Sequence, residues 1–195
     1  VGEPQTEKIC IGAKGYYRFK LITKGEAIST GAGNWERKEK GTNAVVKMAK
    51  ILAAVENLKL RYEPVKNFKG RKPVITPGTL IKGGTGINIV PDYCEATVDI
   101  RLMPGQERKE VKKEILNCIG KLKQKDACIK VRIQDLTYLS AVCILEREKI
   151  VKTLEKHARA VLKKKPKISV SPAGCDANFF IEKGIPTICG FAPIL

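Results

Sequence analysis

From Cys94 to Leu102 the chain alternates without a break. Cys94, Ala96, Val98, Ile100 and Leu102 fall on one side, and Glu95, Thr97, Asp99 and Arg101 on the other. A period of two is the signature of a strand with one face in a core and one face polar. A slip of one residue would expose the whole apolar set, so the register is tightly specified. Pro104-Gly105 ends the run. A chain containing this strand must supply a sheet and something apolar to cover one side of it.

The flanking sequence supplies both. Residues 14–24 (KGYYRFKLITK) mix aromatic and β-branched residues in rough alternation and predict a strand. After a polar, glycine-rich loop at 29–41, Asn43 to Leu58 predicts an amphipathic helix, with Val46, Ala49 and Ala53 on one stripe and Val45 and Leu52 on the next. Thr42 is its expected N-cap. Residues 73–83 predict a short strand interrupted at Pro77-Gly78. Residues 107–125 predict a helix facing inward through Val111, Ile115, Leu116, Ile119 and Leu122, and Ile129, Val131 and Ile133 alternate in a further strand. The order strand, helix, strand, strand, helix, strand is a ferredoxin-like split βαβ unit of the α+β class. From about residue 146 the pattern changes to a long helix (Glu146–Leu162), a strand (Lys167–Val170), a helix (Asp176–Glu182) and a strand (Pro186–Cys189). That is a partial α/β layer.

Composition limits the setting. The 195 residues are 43% hydrophobic, enough for a real core, and no run approaches the ~18 apolar residues of a membrane helix. Seven cysteines without a Cys-x-x-Cys pair disfavour a structural zinc site or a disulfide framework. They point to a reducing, cytoplasmic compartment. The net charge of +17 suits either an anionic partner or a lysine-rich solvated surface; the basic residues are spread along the chain, which favours the surface.

The segment 82–105, KGGTGINIVPDYCEATVDIRLMPG, is the most specific stretch. Arg101 carries a planar fork suited to a carboxylate, and Asn88 a neutral donor and acceptor. On the residues alone, Asp99 and Arg101 are equally well read as ordinary residues of an exposed strand face. The segment resembles the lid-domain signature of the zinc metallohydrolase family of acetylornithine deacetylase, succinyl-diaminopimelate desuccinylase, aminoacylase and glutamate carboxypeptidase. The resemblance extends to residues 2–15 (GEPQTEKICIGAKG), to 24–48 (KGEAISTGAGNWERKEKGTNAVVKM) and to 171–190 (SPAGCDANFFIEKGIPTICG), in the family's order. It implies a hinge at 1–12, a ferredoxin-like lid and dimerisation domain at 13–140, and a catalytic-domain segment at 141–195.

The resemblance also implies chemistry. In the family two zinc ions polarise the scissile amide and activate a water, and a carboxylate acts as general base. The lid adds substrate contacts, partly across a homodimer. By position, Arg101 would grip the carboxylate of a small N-acyl amino acid or peptide and Asn88 would bind nearby. Gly174 and Cys175 would line the pocket through backbone donors. Ser29 stands where the family usually has a lid histidine that steadies the oxyanion; losing one such donor costs about 3–4 kcal/mol of barrier. The segments that carry the family's metal ligands would precede residue 1 and follow Gly190, and the sole histidine, His157, matches no ligand position. The expectation is therefore a fragment or degenerate member that alone completes no catalytic set, binds no zinc and turns over nothing. Two rival readings are a basic nucleic-acid-binding module and a non-catalytic dimerisation protein. The polar face of 94–102 carries no aromatic for base stacking, which sets the nucleic-acid reading second.

Overall fold

The structure is a computed structural model and describes residues 8–191. It contains two sheets. Strands β2 (Gly15–Lys24), β3 (Val74–Gly83), β4 (Tyr93–Leu102) and β5 (Lys130–Leu139) form an antiparallel sheet in the order β3-β4-β2-β5. Helices α2 (Ala44–Glu56) and α3 (Arg108–Lys125) follow β2 and β4, and the short α1 (Gly33–Glu36) interrupts the loop after β2. This is the ferredoxin-like order and topology predicted from the sequence. The alternation of β4 decides which face is covered. Cys94, Ala96, Val98, Ile100 and Leu102 pack with Tyr17, Phe19 and Leu21 of β2 against both helices, and all of these are buried.

The buried helix faces differ from those the periodicity predicts. Helix α2 buries Ala44, Met48, Ile51 and Val55, whereas Val46, Ala49 and Ala53 face outward. Its sequence is apolar nearly all round, so periodicity leaves the stripe open; the stripe carrying the bulkiest side chains removes the most area from water and goes inside. In α3, Leu116 is exposed while Val111, Ile115 and Ile119 are buried. The cap of α2 is Asn43, one residue beyond Thr42: its side chain accepts from Val46 N–H at 3.0 Å.

A three-stranded sheet in the order β6-β1-β7 joins β1 (Lys8–Ala13), β6 (Val142–Cys143) and β7 (Lys167–Ser171). Lys8–Ala13 is its central strand and takes up the end of the expected hinge 1–12 and the first residue of the expected lid; residues 1–7 of that hinge lie outside the described residues. Ile9 and Ile11 pack with Val151 and Leu154 of α4 (Lys149–Leu162), while Cys10 and Ala13 pack with Ala177 of α5 (Ala177–Glu182) and Cys189. Burial on both faces explains the unbroken apolar run of β1. Pro186–Cys189 is not a strand. It meets β1 only at its end, where Cys189 N–H donates to Cys10 O at 2.7 Å and Gly190 bridges Cys10, and Pro186 has no N–H to extend the pairing at its start.

The sheets are joined by two short crossings. Lys14 alone separates β1 from β2, and Ser140-Ala141 separate β5 from β6. The crossings touch: a Cβ on Gly15 would lie 2.2 Å from Leu139 O and 2.4 Å from Ala141 N, so only glycine fits there.

Candidate functional site

The residues singled out by sequence fall into two groups at opposite ends of β4. At one end the loop before β4 pairs with the loop after β2. Ser29 bridges Ile89, Thr30 N–H donates to Asn88 O at 3.0 Å, and Val90 N–H donates to Ile28 O at 2.8 Å. Ser29 and Asn88 are thus brought together, both exposed to solvent. The Ser29 hydroxyl accepts a long bond from Gly31 N–H, 3.4 Å.

Arg101 lies near the other end of β4, paired in register with Tyr16 of β2 and Val74 of β3. At about 3.3 Å per residue, the strand from Tyr93 to Arg101 alone places it roughly 25 Å from the Ser29–Asn88 group. The structure does not bring Arg101 and Asn88 together.

Around Arg101 the open face of the sheet is charged. Asp99 Oδ2 accepts from Arg18 Nε at 2.7 Å, and Arg101 Nε lies 2.9 Å from Asp99 Oδ1. That second contact is an ion pair without an aligned hydrogen bond, which leaves Oδ1 buried and unsatisfied. Arg18 also stacks on Tyr16, 4.2 Å from the ring centre. The arrangement holds the Arg101 guanidinium in place from one side. Lys14 sits at the crossing between the sheets, 5% exposed, with Nζ donating to Lys72 O at 2.5 Å. Burial pushes its pKa down, and the nearby Arg71 and Arg101 guanidinium groups push it further the same way.

Gly174 packs against this end. A Cβ there would meet Leu139 Cδ2 at 2.7 Å, Lys14 O at 3.1 Å and Tyr16 Cδ1 at 3.4 Å. The Cys175 N–H, expected to face a substrate, is instead bonded to Asn178 Oδ1 at 3.0 Å. Asn178 is fully buried and its Nδ2 donates to Ser140 O (2.6 Å) and Lys14 O (3.4 Å). It ties the 174–175 segment to both crossings. Sequence reasoning missed it; a polar residue beside Ala177 on the inward face of a short helix was its only signal.

The fold also gathers thiols that sequence spacing scatters. Cys10, Cys175 and Cys189 share one cluster, and hydrogen bonding to Cys10 and Cys175, with burial, holds the Cys189 thiol protonated. Even so, among the described residues no group of three or more histidine, cysteine or acidic side chains is arranged to hold a metal ion. His157 stands apart on α4, beside Leu154, Pro186 and Ile188. The described residues therefore do not by themselves fit the metal centre that the resemblance implies.

Comparison with known proteins agrees with this architecture. Residues 11–127 match the peptidase dimerisation domain of the M20 family. The chain belongs to that family. It is 29% identical over 180 residues to an uncharacterized metallohydrolase of Methanocaldococcus jannaschii, covering 92% of this chain and 45% of that protein. It is 25% identical over 194 residues to the N-formyl-4-amino-5-aminomethyl-2-methylpyrimidine deformylase of Bacillus subtilis, covering 91% and 44%. The chain thus spans under half the length of these curated relatives. Among solved structures, the di-peptidase Dug1p of Saccharomyces cerevisiae superposes with a TM-score of 0.72 at 10% identity, over 96% of this chain and 49% of that one. Aminopeptidase PepT of Bacillus cereus does so with 0.70 at 18%, over 97% and 46%. At these identities the superpositions speak for the fold. No helix among the described residues is long and apolar enough to cross a membrane.

Proposed function

We propose that this chain forms the lid (13–140) and part of the catalytic domain (141–195) of a metal-dependent amidohydrolase. Its substrate is a small N-acyl amino acid or peptide with a free carboxylate, and Arg101 binds that carboxylate. The observation that carries the reading is the fixed Arg101 guanidinium, held by Asp99 on the open face of a sheet at the junction with the second domain. The roughly 25 Å between Arg101 and the Ser29–Asn88 group is more than one acyl amino acid spans. In this reading the two groups serve different copies of a homodimer, Ser29 and Asn88 reaching the partner's site. Two zinc ions complete the centre, held by residues other than the described ones, so that this chain alone turns over nothing. Seven free cysteines support a cytoplasmic setting.

Titration with N-acetyl-L-asparagine tests the substrate assignment. Arg101→Ala should weaken binding by roughly ten- to a hundred-fold, the loss of one charge-assisted pair. Unspecific RNA binding should hardly change, since one arginine contributes about one phosphate contact. A mutant that keeps full affinity removes Arg101 from the site. Tight, salt-sensitive RNA binding without any response to the acyl amino acid would favour the nucleic-acid module.

A further inference from the structure

Lys14, Arg101 and Arg18 gather at the junction of the two sheets, and Arg71 is near enough for its charge to be felt at Lys14. Lys14 Nζ is bonded to Lys72 O, the residue after Arg71; two residues on, Val74 pairs with Arg101, whose other neighbour is Tyr16, just past Lys14. Arg18 joins them through Asp99, which it shares with Arg101. Among the described residues Asp99 is the sole carboxylate paired within this ring; neither Lys14 nor Arg71 has an acidic partner. Lys14 is also held rigidly. Its N–H donates to Ser171 O at 3.1 Å, and its carbonyl accepts from Asn178. A buried ammonium satisfied by one neutral carbonyl is costly to keep, and its cost falls when an anion enters. The bond to Lys72 O alone would need no charge.

We infer that Lys14 and Arg71 form a second anion subsite beside Arg101, so that the site takes a short dicarboxylate, an N-acyl amino acid carrying one acidic group beyond its α-carboxylate. Arg101 takes one carboxylate, and Lys14 with Arg71 takes the other. The inference rests on the reading of Arg101 given above and adds to it the charge of the substrate. Lys14 confers specificity here, because an analogue lacking the second charge leaves an ammonium desolvated and unpaired.

The test compares N-acetyl-L-aspartate with N-acetyl-L-asparagine, equal in size and one charge apart, by calorimetric titration of the full chain at fixed ionic strength. The dianion should bind at least about tenfold more tightly. Lys14→Gln, which keeps a donor for Lys72 O, and Arg71→Gln, at an exposed position and therefore harmless to folding, should each narrow the preference to about threefold or less. Lys156→Gln on the exposed side of α4 removes the same charge elsewhere and should change nothing. Equal affinity for the two ligands in the wild type overturns the subsite. So does a preference that survives both substitutions, or one that Lys156→Gln narrows as much. If Arg101→Ala still weakens the asparagine compound in that case, the substrate reading stands without the subsite. Failure of the wild type to bind either ligand removes both.

Discussion

The side chains of β4 that face α2 and α3 are at most 1% exposed, and the core beneath them runs without interruption from Tyr17 to Ile129. The three-stranded sheet is built differently. Its strands are two to six residues long, and its buried side chains divide into small separate clusters. Around it Val161, Phe179, Phe180 and Ile185 remain more than half exposed. Leu80, Ile81 and Ile87 of the lid are just as open, so the contrast lies in the cores: one continuous core in the lid, small divided clusters in the second unit. Stability should therefore sit in the lid, and the second unit should respond to its few specific polar ties.

The sharpest way to break this contrast is to remove one ring from each unit. Phe19→Ala empties a fully buried position and should cost about 3–5 kcal/mol. Phe180→Ala, at a site 51% exposed, should stay within about 0.5 kcal/mol of wild type. Urea unfolding measures both. Comparable losses would mean that the second unit is as tightly built as the lid.

A smaller effect should come from Asn178→Ala. It strips partners from Cys175 N–H and Ser140 O and should cost about 1–3 kcal/mol. Hydrogen exchange would sharpen the comparison, because the loss of protection should appear around 140–142 and 174–190 and leave β4 unchanged. Faster exchange throughout β4 would show that the units unfold as one.

The smallest expected effect belongs to the lid alone. Asp126 accepts from Lys47 and Lys50, which tie the end of α3 to α2 and lower its pKa from 3.8 to about 2. A depressed carboxylate stabilises the fold fully above its unfolded value and loses that contribution as pH falls through the folded one. Lid stability should thus drop between about pH 4 and pH 2, by about 1 kcal/mol once solvent screening is allowed for. Asp126→Asn should abolish that portion of the acid loss. Thermal melts of both proteins across this range would decide it, an unchanged acid profile in the mutant counting against the tie.

Legibility follows the same division. The lid could be read because its strands have one dry face and one wet one, so Cys94 to Leu102 announce their own orientation. Helix α2 hid its inner stripe because apolar residues surround it. The 186–189 segment has the composition of a strand, and composition says nothing about missing partners. For the candidate site the sequence named residues but not how they assemble. Asn88 and Arg101 are thirteen positions apart, and an extended strand turns that short interval into most of the length of the sheet. Lys14 and the 71–74 segment are brought to the Arg101 end of β4 by pairing between distant segments, which no local pattern encodes.

The two crossings at Lys14 and Ser140-Ala141 lie side by side, with the Gly15 backbone pressed against Leu139 and Ala141. Two short pins define an axle. With one and two residues of slack, the sheets can neither slide far past each other nor separate, and a swing about the line through the pins works against the buried Phe68, Met103 and Val170 cluster that also joins them. Asn178 bonds to a carbonyl on each pin and sits on that line, while Arg101, a strand's breadth away, would sweep only a short arc. Ser29 and Asn88, at the far end of β4, have the longest lever arm in the lid. A few degrees at the axle would move their tips by ångströms while the Arg101 end stays nearly still.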